Sequence, residues 1–500
     1  RRGDAGNLVG NPIAPASGTK TQIETDWQDH GAHPLSLIRS YHSSGDQVPV
    51  GWGAYWSHNY AAQFVGGDLQ RTASFGSGTL TMFNRKATNE PWINDSGEYG
   101  LTQNNLEWRV TRLEDNSYWD FDSNNILVRI GQRNGWVMQL SYTSGILSEV
   151  TNTFGRKLQF FYDAQGFLTR VTAPNGNSID YDLHSTGRLL NVLYPDSRTK
   201  TYLYENSQYP NALTGINDES GQRYATFTYD TDGRATSTGH AGNVSTYSVS
   251  HPTLRSSDKG LVTLGSDYGS VFQSSVEATD PRGNVQTLSY QGGNGTVHLR
   301  GLSGSFDGGT VASRNFLESI NLPILETDFK GNKTSFEWDT SRRLLLKTIR
   351  AANTPLAQTV QTQWHPQFRL PTLITEVGRA VAYTYDSLGN KLSETISDTG
   401  GGISNGVART TSWTYHASGL VATETAPNGA VTSFAYDSLS NLTSSVNALG
   451  QTEAFTHNAA GQVLTHTATT GLVTNYTYDA RGRVLSMTRA GLVTTLTYSP

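Results

Sequence analysis

The 500-residue chain contains no cysteine. That removes disulfides, thiolate nucleophiles and cysteine-ligated zinc, and it suits oxidising and reducing compartments equally. Charge is scarce as well. Asp, Glu, Lys and Arg make up 16% of the residues, against about 25% in an average soluble protein. The formal net charge is −5, so nothing electrostatic recommends nucleic acid or an anionic membrane as a partner. Arg481, Arg483 and Arg489 lie close together, but acids and bases balance between Ile403 and Pro500 and form no basic stripe. No apolar run approaches the ~20 residues of a membrane span. The opening Arg1-Arg2-Gly3-Asp4-Ala5 lacks the hydrophobic core of a signal peptide. No window carries a 3.6-residue apolar period over the length of a helix.

What is abundant belongs to turns and strands. The chain has 51 Gly and is 10% aromatic, above the roughly 7% background for Gly. With many Ser, Thr and Asn, this describes a turn-rich β protein, because a disordered chain would carry more charge and fewer aromatics. A chain of this length makes about three or four ordinary domains or one large repetitive structure. Internal repetition favours the second.

Phe434-Ala435-Tyr436-Asp437 leads into Ser438-Leu439-Ser440-Asn441-Leu442. Tyr476-Thr477-Tyr478-Asp479 precedes Ala480-Arg481-Gly482-Arg483-Val484, and Tyr383-Thr384-Tyr385-Asp386 precedes Ser387-Leu388-Gly389-Asn390-Lys391-Leu392. Earlier copies are Phe161-Tyr162-Asp163 with Gly166, Tyr181-Asp182 with Gly187, and Phe227-Thr228-Tyr229-Asp230 with Gly233. Phe336-Glu337-Trp338-Asp339, Trp413-Thr414-Tyr415-His416 and Phe455-Thr456-His457-Asn458 are degenerate copies. Tyr415, Tyr436, His457 and Tyr478 follow one another at 21 residues, as do Trp364 and Tyr385, and Tyr142 to Tyr162 is 20.

Each repeat reads as two strands and two turns. Period-two alternation puts Phe434 and Tyr436 on one face. Asp437 then forms an Asx-type turn, and a Gly or Asn three or four positions on supplies positive φ at little cost. Leu442 to Val446 returns as a strand, and Asn447-Ala448-Leu449-Gly450 closes the next turn, as Ala426-Pro427-Asn428-Gly429 and Ala173-Pro174-Asn175-Gly176 do elsewhere. A two-stranded hairpin is marginal alone, so neighbouring repeats pair edge to edge into one long, twisting antiparallel sheet. Equivalent Tyr residues are expected to stack along it as an aromatic ladder.

The Y-D-x-x-G-R/N-L pattern resembles the YD repeat of Rhs proteins, teneurins and the BC components of bacterial Tc toxins. Trp364-His365-Pro366-Gln367-Phe368-Arg369-Leu370-Pro371 resembles a variant repeat of bacterial Rhs shells. The segment from Gly10 resembles the region that leads into such shells. It carries Gly10-Asn11-Pro12-Ile13, Gly18-Thr19-Lys20, Glu24-Thr25-Asp26, Pro34-Leu35, Arg39-Ser40-Tyr41-His42-Ser43 and Gly51-Trp52-Gly53 with Trp56. The resemblance covers most of the chain and implies an all-β spiral of YD-repeat hairpins forming part of a hollow shell, or cocoon. Residues 1–135 are expected to lead into the shell and cap its first edge. Residues 136–500 are expected to be wall, degenerate at about 205–222 and 240–317. The last residues, Leu496-Thr497-Tyr498-Ser499-Pro500, stop within a repeat, and the parent is expected to continue beyond both ends.

In the family the shell encloses a C-terminal effector, often a toxin, released by autoproteolysis. The D-P-x-G-rich core with its aspartate-dependent cleavage has no match here, so no autoprotease residue is carried over. The resemblance implies a structural role in a protein secreted or delivered from a bacterial cell. The implied partners are the protein's own C-terminal effector, a secretion-system spike or adaptor, and as an alternative a glycan, with no nucleic acid and no membrane span. That alternative is an adhesion module that binds a glycan or a receptor. An enzyme of the β-helical lyase or glycosidase kind is a third reading, opposed by the hairpin period.

No catalytic, cofactor-binding or metal-binding residue is assigned, and no cofactor is expected. His30 and His33 are two ligand types on a Gly-containing loop, short of a metal site. Asp120-Phe121-Asp122, Asp180-Tyr181-Asp182 and Asp230-Thr231-Asp232 each pair two carboxylates. In each, the second Asp is read as a turn residue and the first as a surface neighbour. Gly292-Gly293-Asn294-Gly295 has no following helix or Lys-Ser/Thr and reads as a hairpin tip. Arg2-Gly3-Asp4 matches an integrin-binding tripeptide at a terminus. Trp52, Trp56, Trp92, Trp108, Trp119 and Trp136 crowd the first third. They suit sugar stacking or, as preferred here, packing at a cap.

Overall fold

A computed structural model describes residues 8–43, 55–94, 96–105, 107–251, 272–293, 296–304, 311–317, 322–400 and 407–498. It is all-β. The N-terminal part makes two four-stranded sheets. The first holds β1 (Ile13–Ala14), β2 (Thr19–Gln28), β3 (Ser36–His42) and β4 (Trp56–His58). The second holds β5 (Ala62–Gly66), β6 (Gln70–Phe75), β7 (Leu80–Asn84) and β8 (Ile93–Asn94). Among the described residues, from β9 (Tyr99–Asn104) and β10 (Glu107–Arg112) onward, one antiparallel ladder of 35 strands runs in chain order to Leu492–Thr495. Its first and last strands each have one ladder partner. Among the described residues, no backbone pairing joins those two ends; later strands meet earlier ones through hairpin tips.

The turn explains the repeat. Asp386 Oδ1 accepts the backbone N–H groups of Leu388 and Asn390 at 2.9 and 2.8 Å, while Oδ2 accepts the Asn390 side-chain amide at 2.8 Å. Asp479 does the same with Arg481, Arg483 and the Arg483 Nε, at 3.0, 2.8 and 2.7 Å. Between them stands the residue that must adopt positive φ, Gly389 at 76° or Gly482 at 84°, where a side chain would strain the backbone. In the Trp364 repeat His365 takes the aspartate's place, its Nδ1 accepting the N–H groups of Gln367 and Phe368 at 3.2 Å. Turns at the opposite edge use the same backbone bonds: Ala173 N–H donates to Asn177 O at 2.8 Å and Gly176 N–H to Ala173 O at 2.9 Å.

The repeat tyrosine stands where the ladder register slips by one residue, as at Ser141/Tyr142, Thr384/Tyr385 and Thr477/Tyr478. Such a bulge re-aims the side chain. Its hydroxyl reaches back to the strand that follows the preceding Asp-type turn. Tyr142 donates to Leu127 O at 2.7 Å, Tyr385 to Pro371 O at 2.8 Å, Tyr415 to Lys391 O at 2.7 Å and Tyr478 to Val463 O at 2.7 Å. Trp338 and Trp364 do likewise through Nε1, to Pro323 O at 2.7 Å and Leu345 O at 2.9 Å. The expected ring-on-ring ladder is thus a ladder of hydroxyl-to-carbonyl bonds, because a strand pair spaces successive tyrosines too widely for rings to touch.

Burial is uneven along the ladder. One core joins Leu37, Tyr41, Trp56, Tyr60, Phe64 and Phe83 of the N-terminal sheets to wall residues running from Leu101 to Phe227. A smaller core joins Val9 and Ile13 to Ala235, Val249, Val276, Leu288 and Leu299. Among the described residues from Leu322 onward, the buried apolar side chains are Leu322, Leu344, Ala352, Val381, Leu420 and Ala460. The earlier wall is double-layered, and the later wall is a single layer.

Candidate functional site: the covered wall and its seam

The N-terminal sheets meet the wall through a buried polar knot. Leu37, Arg39 and Tyr41 alternate on one face of β3, and a register slip between Thr25 and Trp27 in β2 turns Asp26 to the same place. Arg39 and Asp26 pair with side chains 0% exposed, the second bond at 2.8 Å. Three wall tyrosines complete the site. Tyr181 donates to Asp26 Oδ2 at 2.8 Å, Tyr194 to Oδ1 at 3.3 Å, and Arg39 donates to Tyr202 Oη at 2.9 Å. The guanidinium lies 4.9 Å from the Trp56 ring centre and 5.3 Å from that of Tyr202. Burial opposes the Arg39 charge, but Asp26 outweighs it and holds the pKa well above its usual value.

Other groups on this interface are kept in their neutral or desolvated forms. Burial holds the Lys20 ammonium well below its ordinary pKa, with Glu24 partly opposing. Lys20 Nζ donates to Gln22 Oε1 at 2.9 Å and lies 4.2 Å from the Phe227 ring centre. Burial lowers His58 to about 3, and lowers His33 and His42 to about 4. Trp56 Nε1 donates to Tyr204 Oη at 2.8 Å, and the Tyr41 hydroxyl donates to Asn211 O at 3.0 Å while accepting Leu213 N–H at 2.8 Å. Trp56 and Tyr41 thus find across the joint the hydrogen-bond partners that their burial requires.

A second joint lies where later hairpin tips stack on earlier ones. Arg133 donates to Leu388 O and Gly389 O at 3.1 and 3.2 Å, 255 and 256 residues away in sequence. Trp136 Nε1 donates to Ser418 O at 2.8 Å across 282 residues. Arg156, 1% exposed, donates to Asn441 Oδ1 at 2.5 Å and Ala459 O at 3.3 Å and lies 4.0 Å from buried Asp29. Asn177 donates to Ala480 O at 2.7 Å across 303 residues. From the other side, Arg481 bonds Glu219 at 2.8 Å, lies 3.8 Å from Asp196, and rests 3.8 Å from the Tyr194 ring centre. The ladder therefore winds as a spiral, and these contacts are the seam between an earlier coil, through about residue 222, and a later one containing residues 386–483.

The residues picked out from the sequence are placed as follows. The His30–His33 loop sits in the seam: His30 N–H donates to Ala460 O at 3.1 Å, and His33 packs 5.7 Å from Trp136. Among the described residues no group of three or more His, Cys, Asp or Glu is disposed to hold a metal. Asp122 is a turn residue, accepting Asn124 and Ile126 N–H at 2.9 Å. Asp120 is not a surface neighbour: it is 2% exposed, with Arg109 at 2.7 Å and Arg129 at 3.0 Å. The Asp230 turn reverses the expected order, since Asp230 accepts the N–H groups of Asp232 and Arg234. Asp180 pairs with Arg170, and Asp182 accepts from Asn191, so neither makes a turn; His184 does, bonded through its backbone to Gly187 and Arg188. Trp56 and Trp108 are buried, and Trp119 packs 4.6 Å from Phe75. Trp52, Arg2-Gly3-Asp4 and Asn294-Gly295 lie outside the described residues. The Arg39–Asp26 knot and the seam were not foreseen. For Arg39 the available signal was a charge on the apolar face of a strand.

Residues 10–80 match a family model described as a domain of unknown function, DUF6531; residues 93–277 match the Teneurin YD-shell; residues 409–452 and 457–494 match the RHS Repeat. Among curated proteins none matches in sequence. Among solved structures the chain is similar to the crystal structure of TcdB2-TccC3-TEV, at 13% identity and TM-score 0.43, over 97% of this chain and 31% of that one. It is also similar to the Photorhabdus luminescens Tc holotoxin pore, at 12% identity and TM-score 0.44, over 96% and 30%. The chain spans about a third of the length of these structures.

Proposed function

The chain is an Rhs/YD-repeat shell protein, and from that premise we propose that it is wall of a secreted container enclosing a C-terminal effector of the same polypeptide and helping to deliver it. One observation carries this reading: a single 35-strand ladder returns on itself so that its hairpin tips dock. A sheet joined to itself in this way bounds a space rather than filling one. The matching family models describe a shell and its repeats, none a catalytic family. In this reading residues 1–135 lead into the shell, residues 136–500 are wall, and the protein acts outside the cell that makes it. Trp56 and Trp108 are buried and Trp119 packs on Phe75, which supports packing at the cap over sugar stacking for these three.

The test is electron microscopy of the chain and of a longer form extended through its effector. A curved wall about one sheet thick around a solvent-filled or cargo-filled space is the expected result. A solid globule, or separate domains on linkers, overturns the proposal.

A further inference from the structure

We infer that the wall is built to open along the seam between its coils, and that the seam, not the strand ladder, is the line along which an enclosed polypeptide leaves. The purpose given to the opening rests on the container reading; the opening itself does not.

The two kinds of joint are bonded differently. Within the ladder each strand is held to its neighbours by rows of backbone hydrogen bonds, and parting two strands breaks a whole row at once. Across the seam, among the described residues, no backbone-to-backbone bond joins the two coils; the one such bond onto the later coil comes from His30 in the N-terminal region. The seam's contacts are side chains seated on tips: Arg133, Trp136, Arg156 and Asn177 from the earlier coil, and Arg481 and Arg483 from the later. Each can leave singly and find water, save the enclosed Arg156.

The seats themselves are shallow. The later coil receives these side chains at turn glycines. A Cβ on Gly389 would lie 2.4 Å from Arg133 Nε, one on Gly419 would lie 3.1 Å from Trp136 Nε1, and one on Gly461 would lie 2.9 Å from an Arg156 nitrogen. Glycines with the same positive φ on the opposite edge, Gly429, Gly450 and Gly471, have nothing within 4 Å. A half-open cleft of about 430 Å³ also runs along the seam, bounded by Trp136, Asp386, Tyr415 and His416. A joint of side-chain plugs in bare glycine seats, with a solvent-open cleft beside it, is made to part and re-form. The covered earlier coil stays rigid while the single-layered later coil moves.

Because the chain has no cysteine, one engineered pair gives one defined cross-link. Asn177→Cys with Ala480→Cys joins the coils where Asn177 now bonds the Ala480 carbonyl. Hydrogen exchange followed by mass spectrometry is compared in the reduced and oxidised 500-residue chain. Oxidation is expected to slow the amides of tips 386–390, 416–420, 437–441 and 458–462 by about tenfold or more, leaving turns 426–429 and 447–450 unchanged. A second pair needs no cross-link. Gly461→Asn and Gly450→Asn both place a tolerated residue at positive φ, and only Gly461→Asn is expected to speed exchange at the seam tips. Equal slowing on both edges, no slowing at all, or equal effects of the two Asn variants overturns the seam opening. A hollow wall in micrographs together with an unresponsive seam removes this inference and leaves the container. A responsive seam on a solid particle keeps the opening and removes its purpose.

Discussion

The earlier and later coils put corresponding residues into different surroundings. Two positions before each register slip stand Leu140, Phe160 and Tyr181 in the earlier coil and Phe434, Phe455 and Tyr476 in the later. The first three are 3–5% exposed beneath the N-terminal sheets, and the second three are half-buried. The turns do not share this difference: Asp163 accepts two backbone N–H groups at 2.9 Å in one coil, as Asp437 does at 2.9 and 2.8 Å in the other. The repeat is therefore complete as local structure without a core. Hydrophobic burial is added to it afterwards, by the N-terminal sheets, on one coil.

Acid offers the widest separation of the two coils. His33, His42 and His58 belong to the cover, and burial sets their folded pKa values at about 4, 4 and 3, below the unfolded value of about 6.5. A depressed histidine contributes stability that is complete above pH ~6.5 and is lost as pH falls toward the folded value, at about 1.4 kcal/mol per pH unit. Fully enclosed His58 contributes most, about 3 kcal/mol by pH 4. Asp29, raised by burial against the N–H groups of Leu35 and Gly31, acts in the opposite sense and offsets part of the loss. Thermal unfolding between pH 7 and 4, with His58→Gln flattening the acid limb, measures this. Parallel loss in the cover and the later coil would contradict it.

Breaking the buried knot comes next. Arg39→Ala leaves Asp26 charged and enclosed and is expected to cost about 3–5 kcal/mol. In the later coil the Lys347–Glu337 pair, with Glu337 61% exposed, is the control: Glu337→Ala should change stability by less than about 1 kcal/mol. Denaturant unfolding of both variants checks the contrast. A similar cost for the two would mean that the cover is not held by its ion pair.

Truncating matched aromatics tests the cover as a hydrophobic layer. Phe160→Ala is expected to cost about 3–4 kcal/mol, because the N-terminal sheets cannot collapse into the space left behind. Phe434→Ala, losing a half-exposed ring, should cost about 1 kcal/mol. Equal losses, measured by denaturant unfolding, would place a second layer on the later coil too.

The strands and turns were legible because both depend on neighbours in sequence: period-two alternation, an acceptor, and a positive-φ residue three positions after it. The one misplaced copy shows the rule. Asp182 stands five residues before Gly187, too far, and the chain uses His184, which is three before. Asp120 was misjudged because its partners Arg109 and Arg129 come from two neighbouring strands, information that a local pattern does not hold. The same holds more strongly for Arg39, whose tyrosine partner Tyr202 lies 163 residues away, and for the seam, whose contacts span 255–303 residues. Periodicity reports what a strand does with its neighbour, and nothing about which strand arrives a full coil later.

The smallest effect is the one that sharpens the comparison most. The tyrosine rung is local, joining each repeat to the one before it, so removing its hydroxyl should cost the same in both coils. Tyr142→Phe frees the Leu127 carbonyl and Tyr478→Phe frees that of Val463. Each should lose about 1 kcal/mol, the net worth of one hydrogen bond, with hydrogen exchange quickening at the strands that carry those carbonyls. Agreement between the two would separate the rung, which both coils have, from the cover, which only one has. A markedly larger loss at Tyr142 would mean that the N-terminal sheets also hold the rungs in place, and that the earlier coil depends on them for its local geometry as well as its stability.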